Sequence, residues 1–136
     1  MTTYLVDTNV LLRFLLKSDQ KSYLAAKKKF GQAKDKKIKI VIPSEVIPEI
    51  VYVLNSVYQI PRDEITNKLK HLLKISYLDC DYRKTWIKVL DIYQKIKVDC
   101  VDIFLVVKAR EQQMKVLSFD HDVKRVADVY DELYGD

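Results

Sequence analysis

The sequence predicts an α/β domain built around a short parallel sheet. Apolar or β-branched runs of three to five residues alternate with longer segments whose apolar residues recur at helical spacing. A chain of 136 residues suits a single domain. Only two glycines and three prolines are present, so disorder and long loops are not expected. Strands that alternate with helices form parallel sheets that are covered on both faces.

The first half of the chain predicts two strands and three helices. The run Ile38–Ile42 is β-branched and typical of a strand. The helix that begins near Asn9 has Thr8 or Asp7 as its cap. The predicted order is a buried strand at 4–6, helices at about 9–16 and 21–32, a strand at 38–42 and a long helix from 44 through 57.

The second half predicts two more short strands among four helices. Residues 101–109 are apolar nearly all round apart from Asp102 and Lys108, which predicts a buried helix. The predicted order is a helix from Pro61, a weak strand at 76–78, a helix around 86–93, the buried helix, a strand at 116–118 and a helix at about 123–130.

Four acidic residues are predicted to meet at one edge of this sheet. Right-handed crossovers place the carboxyl ends of parallel strands along the same edge, where open α/β sheets bind ligands. Asp7 and Asp120 follow the first and last strands, and helices that leave the same edge carry Glu49 and Asp102. A carboxylate in apolar surroundings is costly unless it is paired or binds a cation.

Each acid also has a simpler structural interpretation. Asp7, Asp102 and Asp120 could each cap the helix that follows, as could Asp99. Glu49 is harder to explain, because it lies past the cap position among apolar residues such as Val46 and Ile50. The cluster therefore favours a divalent metal.

The donor atoms available narrow the choice of metal and of reaction. The two histidines cannot form a histidine-rich zinc site, and the two cysteines are isolated and form no CxxC pair. A metal here would be bound by oxygen ligands, which favours Mg²⁺ or Mn²⁺. Such an ion activates water for attack on phosphorus, which predicts phosphodiester hydrolysis. An aspartyl-phosphate phosphatase would need a second aspartate at position 9, which is Asn9. No dinucleotide, P-loop or nucleophile-elbow motif is present.

Charge and hydropathy predict a cytoplasmic protein that meets a polyanion. No apolar run reaches the roughly 18 residues of a membrane span, and the first residues do not resemble a signal peptide. The formal charge is +5. Lysines that could guide a polyanion, or simply form a solvated face, are Lys27, Lys28, Lys29, Lys34, Lys36, Lys37 and Lys39.

At these acidic residues the chain resembles PIN-domain proteins, in particular the small VapC-type toxins of prokaryotic toxin–antitoxin systems. The segments that carry the resemblance are 5–13, 42–44 with 49–54, 98–102 and 117–120, in that order. The resemblance implies one PIN-like domain over residues 1–136, with three α/β/α layers and a central parallel sheet of four to five strands. It implies that Asp7, Glu49, Asp102 and Asp120 are the catalytic, metal-binding residues. Asn9, Ser118 and Asp99 match positions that support such a site.

The activity implied is that of an endoribonuclease dependent on Mg²⁺ or Mn²⁺. The resemblance further implies an RNA substrate, a homodimer and a small antitoxin partner. PIN nucleases of RNA maturation or decay, and a catalytically idle PIN scaffold, are the alternatives. Tyr52, Tyr58 and Trp86 could line a subunit or antitoxin surface, although residues at this helical spacing belong more often to a core.

Overall fold

A computed structural model describes residues 1–135 of the chain. These residues form two compact units. The first, here called the sheet unit, contains Met1–Ile60 and His71–Asp81. The second, the helical unit, contains Pro61–Lys70 and the chain from Tyr82 onward. The single domain over residues 1–136 stays a prediction. Asp136, the last residue of that range, lies outside the described residues.

The described chain contains three strands and seven α-helices. The strands are β1 (Thr3–Leu5), β2 (Lys39–Ile42) and β3 (Leu78–Cys80). The helices are α1 (Thr8–Leu16), α2 (Gln20–Lys34), α3 (Val46–Tyr52), α4 (Arg62–Leu73), α5 (Arg83–Tyr93), α6 (Cys100–Glu111) and α7 (His121–Tyr134). None of these helices has the length and apolar character that crossing a bilayer requires.

The sheet unit is organised by a parallel sheet in the order β1-β2-β3. Tyr4 lies opposite Ile40, which lies opposite Leu78 on the other side. Because all three strands run the same way, their carboxyl ends share one edge of the sheet. Asp7 follows β1 by two residues, and α3 begins four residues after β2. The segments that carry Asp7 and Glu49 therefore leave the same edge, as the sequence predicts.

The core of the sheet unit lies under α1 and α3. Helix α1 packs against α2 and α3, and α2 contacts β2. Fully or almost fully buried side chains in this unit are Leu11, Ile40, Ile42, Ile47, Ile50, Leu54, Leu72, Leu73 and Leu78. Burial of each such side chain contributes roughly 1.5–3 kcal/mol, which fixes the helices that carry the acidic residues.

A π-helical turn continues α3 from Val53 to Val57. The amide of Tyr58 donates to the carbonyl of Val53 at 3.2 Å, a contact five residues apart. The side-chain amide of Asn55 donates to the carbonyl of Ile60 at 3.2 Å and closes the turn. Gln59, with φ 56°, then redirects the chain toward α4.

The helical unit is built on mutual contacts among α5, α6 and α7. The first part of α4 is tied to α5 by polar contacts: the Thr66 hydroxyl donates to the Leu90 carbonyl at 3.2 Å, and Lys70 Nζ lies 2.7 Å from Asp91 Oδ1. The Tyr134 hydroxyl donates to Asp91 Oδ2 at 3.0 Å and ties α7 to α5. Buried apolar residues in this unit include Ile65, Leu69, Val89, Leu90, Ile103, Val107 and Val126.

Several sequence expectations about the sheet are wrong. The α/β class and the parallel sheet are confirmed, but the described residues contain three strands and not four to five. Residues 116–118 form no strand, and Leu117 among them is 93% exposed. β1 is exposed along Thr3–Leu5 and not buried; only Val6, just beyond it, is buried.

Helix α6 departs from expectation, whereas Trp86 confirms the core interpretation of its helical spacing. One side of α6 is buried through residues such as Ile103 and Val107, whereas Val101 and Leu105 are nearly half exposed. Trp86 is buried and stacks on Phe104 with ring centroids 4.4 Å apart, so it belongs to the core of the helical unit. Tyr52 and Tyr58, by contrast, are exposed on the sheet unit.

Candidate active site

Asp7 caps helix α1 at the carboxyl end of β1. Its backbone is extended, with φ −87° and ψ 168°, and its Oδ1 accepts a hydrogen bond from the Val10 amide at 3.0 Å. The capping interpretation is therefore correct for Asp7. The cap uses Oδ1 and leaves the exposed carboxylate able to present its second oxygen to a cation. Asn9, on the first turn of α1, is exposed as well.

Glu49 lies on the exposed side of α3. Ile47, Ile50 and Val51 form the buried side of this short helix. The expectation that Glu49 is surrounded by apolar residues is therefore wrong, because its side chain projects away from them. Within residues 1–135 its carboxylate forms no hydrogen bond or ion pair. A carboxylate held on a packed helix without a partner is available as a ligand, although burial does not force it to be one.

A cavity of about 420 Å³ lies beside Asp7 in the sheet unit. Its walls are mostly apolar, with Tyr4 and Val10 among them, and two cations, Arg13 and Lys29, also line it. Arg13 Nη1 is held by Asp19 Oδ2 at 3.1 Å, and Lys29 Nζ lies 4.9 Å from the centre of the Tyr4 ring. Arg13 and Lys29 are therefore each in contact with a group that is not Asp7.

Asp99 and Asp102 lie at the start of α6 in the helical unit. Asp99 is the cap residue, and its Oδ1 accepts from the Val101 amide at 3.1 Å. Asp102 lies inside the first turn and does not cap the helix, so that alternative is wrong for this residue. Within the described residues Asp102 has no hydrogen bond or ion-pair partner.

The surroundings of Asp102 disfavour its charged form. Partial burial raises the pKa of the Asp102 carboxyl, and the negative charges of Asp99, Asp120 and Asp122 raise it further. The starts of α6 and α7 therefore bring four carboxyl groups within electrostatic range of one another. Among residues 1–135, the charges that shift the pKa of Asp102 are all negative.

Asp120 and Ser118 form a local hydrogen-bonded chain before α7. The Asp120 amide donates to the Ser118 hydroxyl at 3.0 Å, and Asp120 Oδ1 accepts from the Asp122 amide at 2.9 Å as the cap of α7. A second cavity, of about 460 Å³, is lined by Ser118 and Asp120 together with Lys115 and Lys124. Ser118 thus helps to orient Asp120, one of the four acids predicted from the sequence.

Asp122 is the acidic neighbour that sequence reasoning missed. Its charge contributes to the raised pKa of Asp102. Its Oδ1 also lies 3.0 Å from Arg125 Nη1. The signal available in the sequence was its position two residues after Asp120, in the first turn of α7.

The predicted acids divide between the two units. Asp7 and Glu49 belong to the sheet unit, and Asp102 and Asp120 belong to the helical unit. Residues 1–135 contain no group of three or more histidine, cysteine, aspartate or glutamate side chains arranged to hold a metal. A single pocket formed by all four acids therefore stays a prediction.

The chemistry of these donors nevertheless fits a hard divalent cation. All of them are carboxylate oxygens, the ligand type that Mg²⁺ and Mn²⁺ prefer. The crowded carboxylates around Asp102 carry a repulsion that a bound cation would relieve. A thiolate ligand is not available at α6, because burial raises the pKa of the Cys100 thiol to about 12.

The sequence of the chain is similar to sequences of known proteins over most of its length. The PIN domain family model matches residues 4–129, which include all four acids. The chain belongs to the PIN domain family. It is also similar to a VapC ribonuclease from Aquifex aeolicus (strain VF5), with 28% identity over 123 residues that cover 90% of each protein. No solved structure matches the chain. The family resemblance stated from the sequence is confirmed.

Proposed function

We propose that this PIN-domain protein is an endoribonuclease dependent on Mg²⁺ or Mn²⁺, and that it acts as the toxin of a toxin–antitoxin pair. The observation that carries the metal dependence is the environment of Asp102, whose carboxyl is partly buried and lies near three other acids that raise its pKa. The match to the PIN family and the similarity to a VapC ribonuclease support RNA as the substrate.

In this proposal Asp7, Glu49, Asp102 and Asp120 are the catalytic and metal-binding residues. The metal would supply the Lewis acidity that makes water nucleophilic near neutral pH. Asp99 and Ser118 support the site through the hydrogen bonds that order the starts of α6 and α7. Asn9 supports it from the first turn of α1.

The proposed RNA approach rests on charge. The formal charge of the chain is +5, and the seven lysines between positions 27 and 39 are all exposed. A basic surface near carboxylates attracts a polyanion and loses that attraction as salt rises. Cleavage by the wild type should therefore weaken with added salt at fixed Mn²⁺.

The remaining parts of the proposal concern location and partners. We place the protein in the cytoplasm as a homodimer that a small antitoxin inhibits. The apolar surface available for such contacts in the sheet unit includes Tyr52, Val57 and Tyr58, which are exposed by 66%, 64% and 52%. Exposed apolar clusters of this kind are typical of protein contact surfaces.

The decisive test is RNA cleavage by the purified full chain with Mg²⁺, with Mn²⁺ and with a chelator. Asp7→Asn and Asp102→Asn should each lower the rate at least roughly 100-fold, because even residues that only support metal ligands cost 10–100-fold. Asp35→Asn is the matched control for Asp7→Asn, and Asp128→Asn is the matched control for Asp102→Asn. Each control changes an exposed acid that lies in the same unit as its counterpart but outside the candidate site.

Two results would contradict the metal mechanism: full cleavage in chelator, or full cleavage by both site variants. An intact wild type that never cleaves RNA with either metal would favour the idle scaffold. Growth arrest on expression, relieved by Asp102→Asn, separates a toxin from a PIN nuclease of RNA maturation or decay.

A further inference from the structure

Arg62 makes an unusual set of contacts in the helical unit. It is the first residue of α4, and its Nη1 donates to three backbone carbonyls: Tyr93 at 3.1 Å, Ile96 at 3.0 Å and Val98 at 2.9 Å. The guanidinium carbon lies 3.9 Å from the centre of the Tyr93 ring. One side chain thus holds the end of α5 and the loop that follows it.

The Tyr93 carbonyl lies at the end of α5, whereas the Ile96 carbonyl in the loop also accepts from the Val98 amide at 3.0 Å. The last carbonyls of a helix lack intrahelical donors, and the helix dipole places partial negative charge there. The loop 94–99 contains no glycine or proline to fix its conformation. A half-buried arginine satisfies several carbonyls at once because its guanidinium is planar and always charged.

The loop that Arg62 holds leads directly to the acidic start of α6. Val98, the last of the three acceptors, precedes Asp99, whose Oδ1 accepts from the Val101 amide to cap α6. Asp102 follows within the first turn of that helix. The position of the Asp102 carboxylate therefore depends on the conformation of the loop, because that conformation sets where α6 begins.

We propose that Arg62 is a positioning residue for Asp102. By fixing the carbonyls between Tyr93 and Val98, it sets the start of α6 and hence the place of Asp102 beside Asp99 and Asp120. Arg62 does not itself bind metal or substrate in this role. The inference rests on the proposed function, because it concerns the use of Asp102 as a metal ligand.

The chain offers a matched control in Lys70. It also lies on α4, and it also ties that helix to α5, through Asp91 at 2.7 Å. Within residues 1–135 Lys70 forms no hydrogen bond or ion pair with the loop 94–99, so Lys70→Met removes an α4–α5 contact and leaves the contacts of Arg62 with the loop in place. Both Arg62→Met and Lys70→Met should lower the melting temperature.

Two measurements on these variants separate positioning from general stability. In metal-free protein, hydrogen exchange of the amides of residues 99–103 should accelerate in Arg62→Met and not in Lys70→Met. The dissociation constant for Mn²⁺ alone should rise about 10- to 100-fold in Arg62→Met, the range seen when residues that orient metal ligands are removed. Arg62→Lys should restore part of the Mn²⁺ affinity, because an ammonium group still donates to carbonyls.

RNA cleavage adds a third readout. Because Arg62 acts through Asp102, cleavage by Arg62→Met should recover toward the wild-type rate as Mn²⁺ is raised, whereas Asp102→Asn should not recover. If Arg62→Met does not fold, Arg62→Lys carries the same comparison with a smaller expected change.

The proposal is overturned if Arg62→Met and Lys70→Met show the same exchange at residues 99–103 and Mn²⁺ affinities within about twofold of each other, well under the expected 10-fold change. Failure of the proposed function has a different signature: the wild type itself then neither binds Mn²⁺ nor cleaves RNA. In that case the positioning role toward a metal ligand fails as well, while the exchange data alone still report how firmly Arg62 holds the loop.

Discussion

The sheet unit and the helical unit hold their acidic residues in opposite ways. In the sheet unit Asp7 and Glu49 are both exposed, and only Asp7 is engaged, as a helix cap. In the helical unit Asp102 is partly buried and surrounded by three acids that raise its pKa. The candidate acids of the sheet unit are thus held at little electrostatic cost, and Asp102 of the helical unit is held at a higher cost.

Thiol reactivity should show the largest difference between the units. Cys100 in the helical unit is 3% exposed, and burial raises its pKa from 9.0 to about 12. Its thiolate at pH 8 is therefore roughly a thousandfold scarcer than for an ordinary thiol. Mass spectrometry after brief iodoacetamide treatment should find Cys80 of the sheet unit alkylated and Cys100 untouched. In denaturant the two should react alike; equal labelling of the native protein would contradict the burial of Cys100.

Core truncation tests whether the units unfold together. Leu54 of the sheet unit and Leu90 of the helical unit are both 0% exposed. Substitution of each by alanine should lower the free energy of unfolding by about 2–5 kcal/mol. The single tryptophan, Trp86, lies in the helical unit and reports that unit by fluorescence.

If the chain is one domain, Leu54→Ala should lower the denaturation midpoint seen by Trp86 fluorescence as much as the midpoint seen by circular dichroism. A Trp86 transition that Leu54→Ala leaves unmoved would mean that the units unfold independently, and the single-domain prediction would be wrong.

In metal-free protein, replacing an aspartate by asparagine should affect stability differently in the two units. Asp102→Asn should raise the melting temperature, because it removes a carboxylate that the surrounding acids disfavour. Asp7→Asn should change the free energy of unfolding by less than about 0.5 kcal/mol, since asparagine caps a helix as well as aspartate does. Thermal melts in chelator measure both.

The raised pKa of Asp102 determines how its contribution to stability changes with pH. Because the folded state raises the Asp102 pKa above its ordinary 3.8, the folded protein binds this proton more tightly than the unfolded chain does. The stability contribution of this group therefore falls as pH rises through the raised pKa. The advantage of Asp102→Asn should be largest near pH 7 and shrink as the pH drops toward 4. A constant advantage across that range would indicate a cause other than charge.

Lysine ion pairs should show the smallest difference. Lys39 and Asp79 in the sheet unit are about half exposed at 3.4 Å, whereas Lys70 and Asp91 in the helical unit are about a quarter exposed at 2.7 Å. Lys39→Met should change the free energy of unfolding by less than about 0.5 kcal/mol. Lys70→Met should cost roughly 0.5–1.5 kcal/mol. Urea denaturation resolves the two, and the reverse order would contradict the role of burial.

Local chemistry explains which parts of the fold were predictable. Asp7, Asp99 and Asp120 each precede an amphipathic or apolar helix, so their capping follows from residue type and spacing alone. The β-branched run ending at Ile42 gave β2 within one residue. These features depend on neighbours within four residues and therefore leave a clear mark in the sequence.

The features that were not predicted depend on packing. A short apolar run such as 116–118 has the composition of a strand, yet pairing requires a neighbouring strand that composition does not specify. β3 lies at Leu78–Cys80, two residues later than predicted, because Leu78 and Cys80 pair with β2. The role of Arg62 was invisible because its acceptors lie 31 to 36 residues away.

The π-helical turn after α3 has a consequence for how this chain has changed length. A π turn holds one residue more than the α-helical turn it replaces, and an insertion inside a helix is commonly absorbed this way. Between Val53 and Val57 a residue can thus be gained or lost without rotating the preceding helix, so Glu49 keeps its orientation. Homologues that lack one residue should carry their gap here, and excising Ser56 should yield an uninterrupted helix with an unchanged Glu49 face.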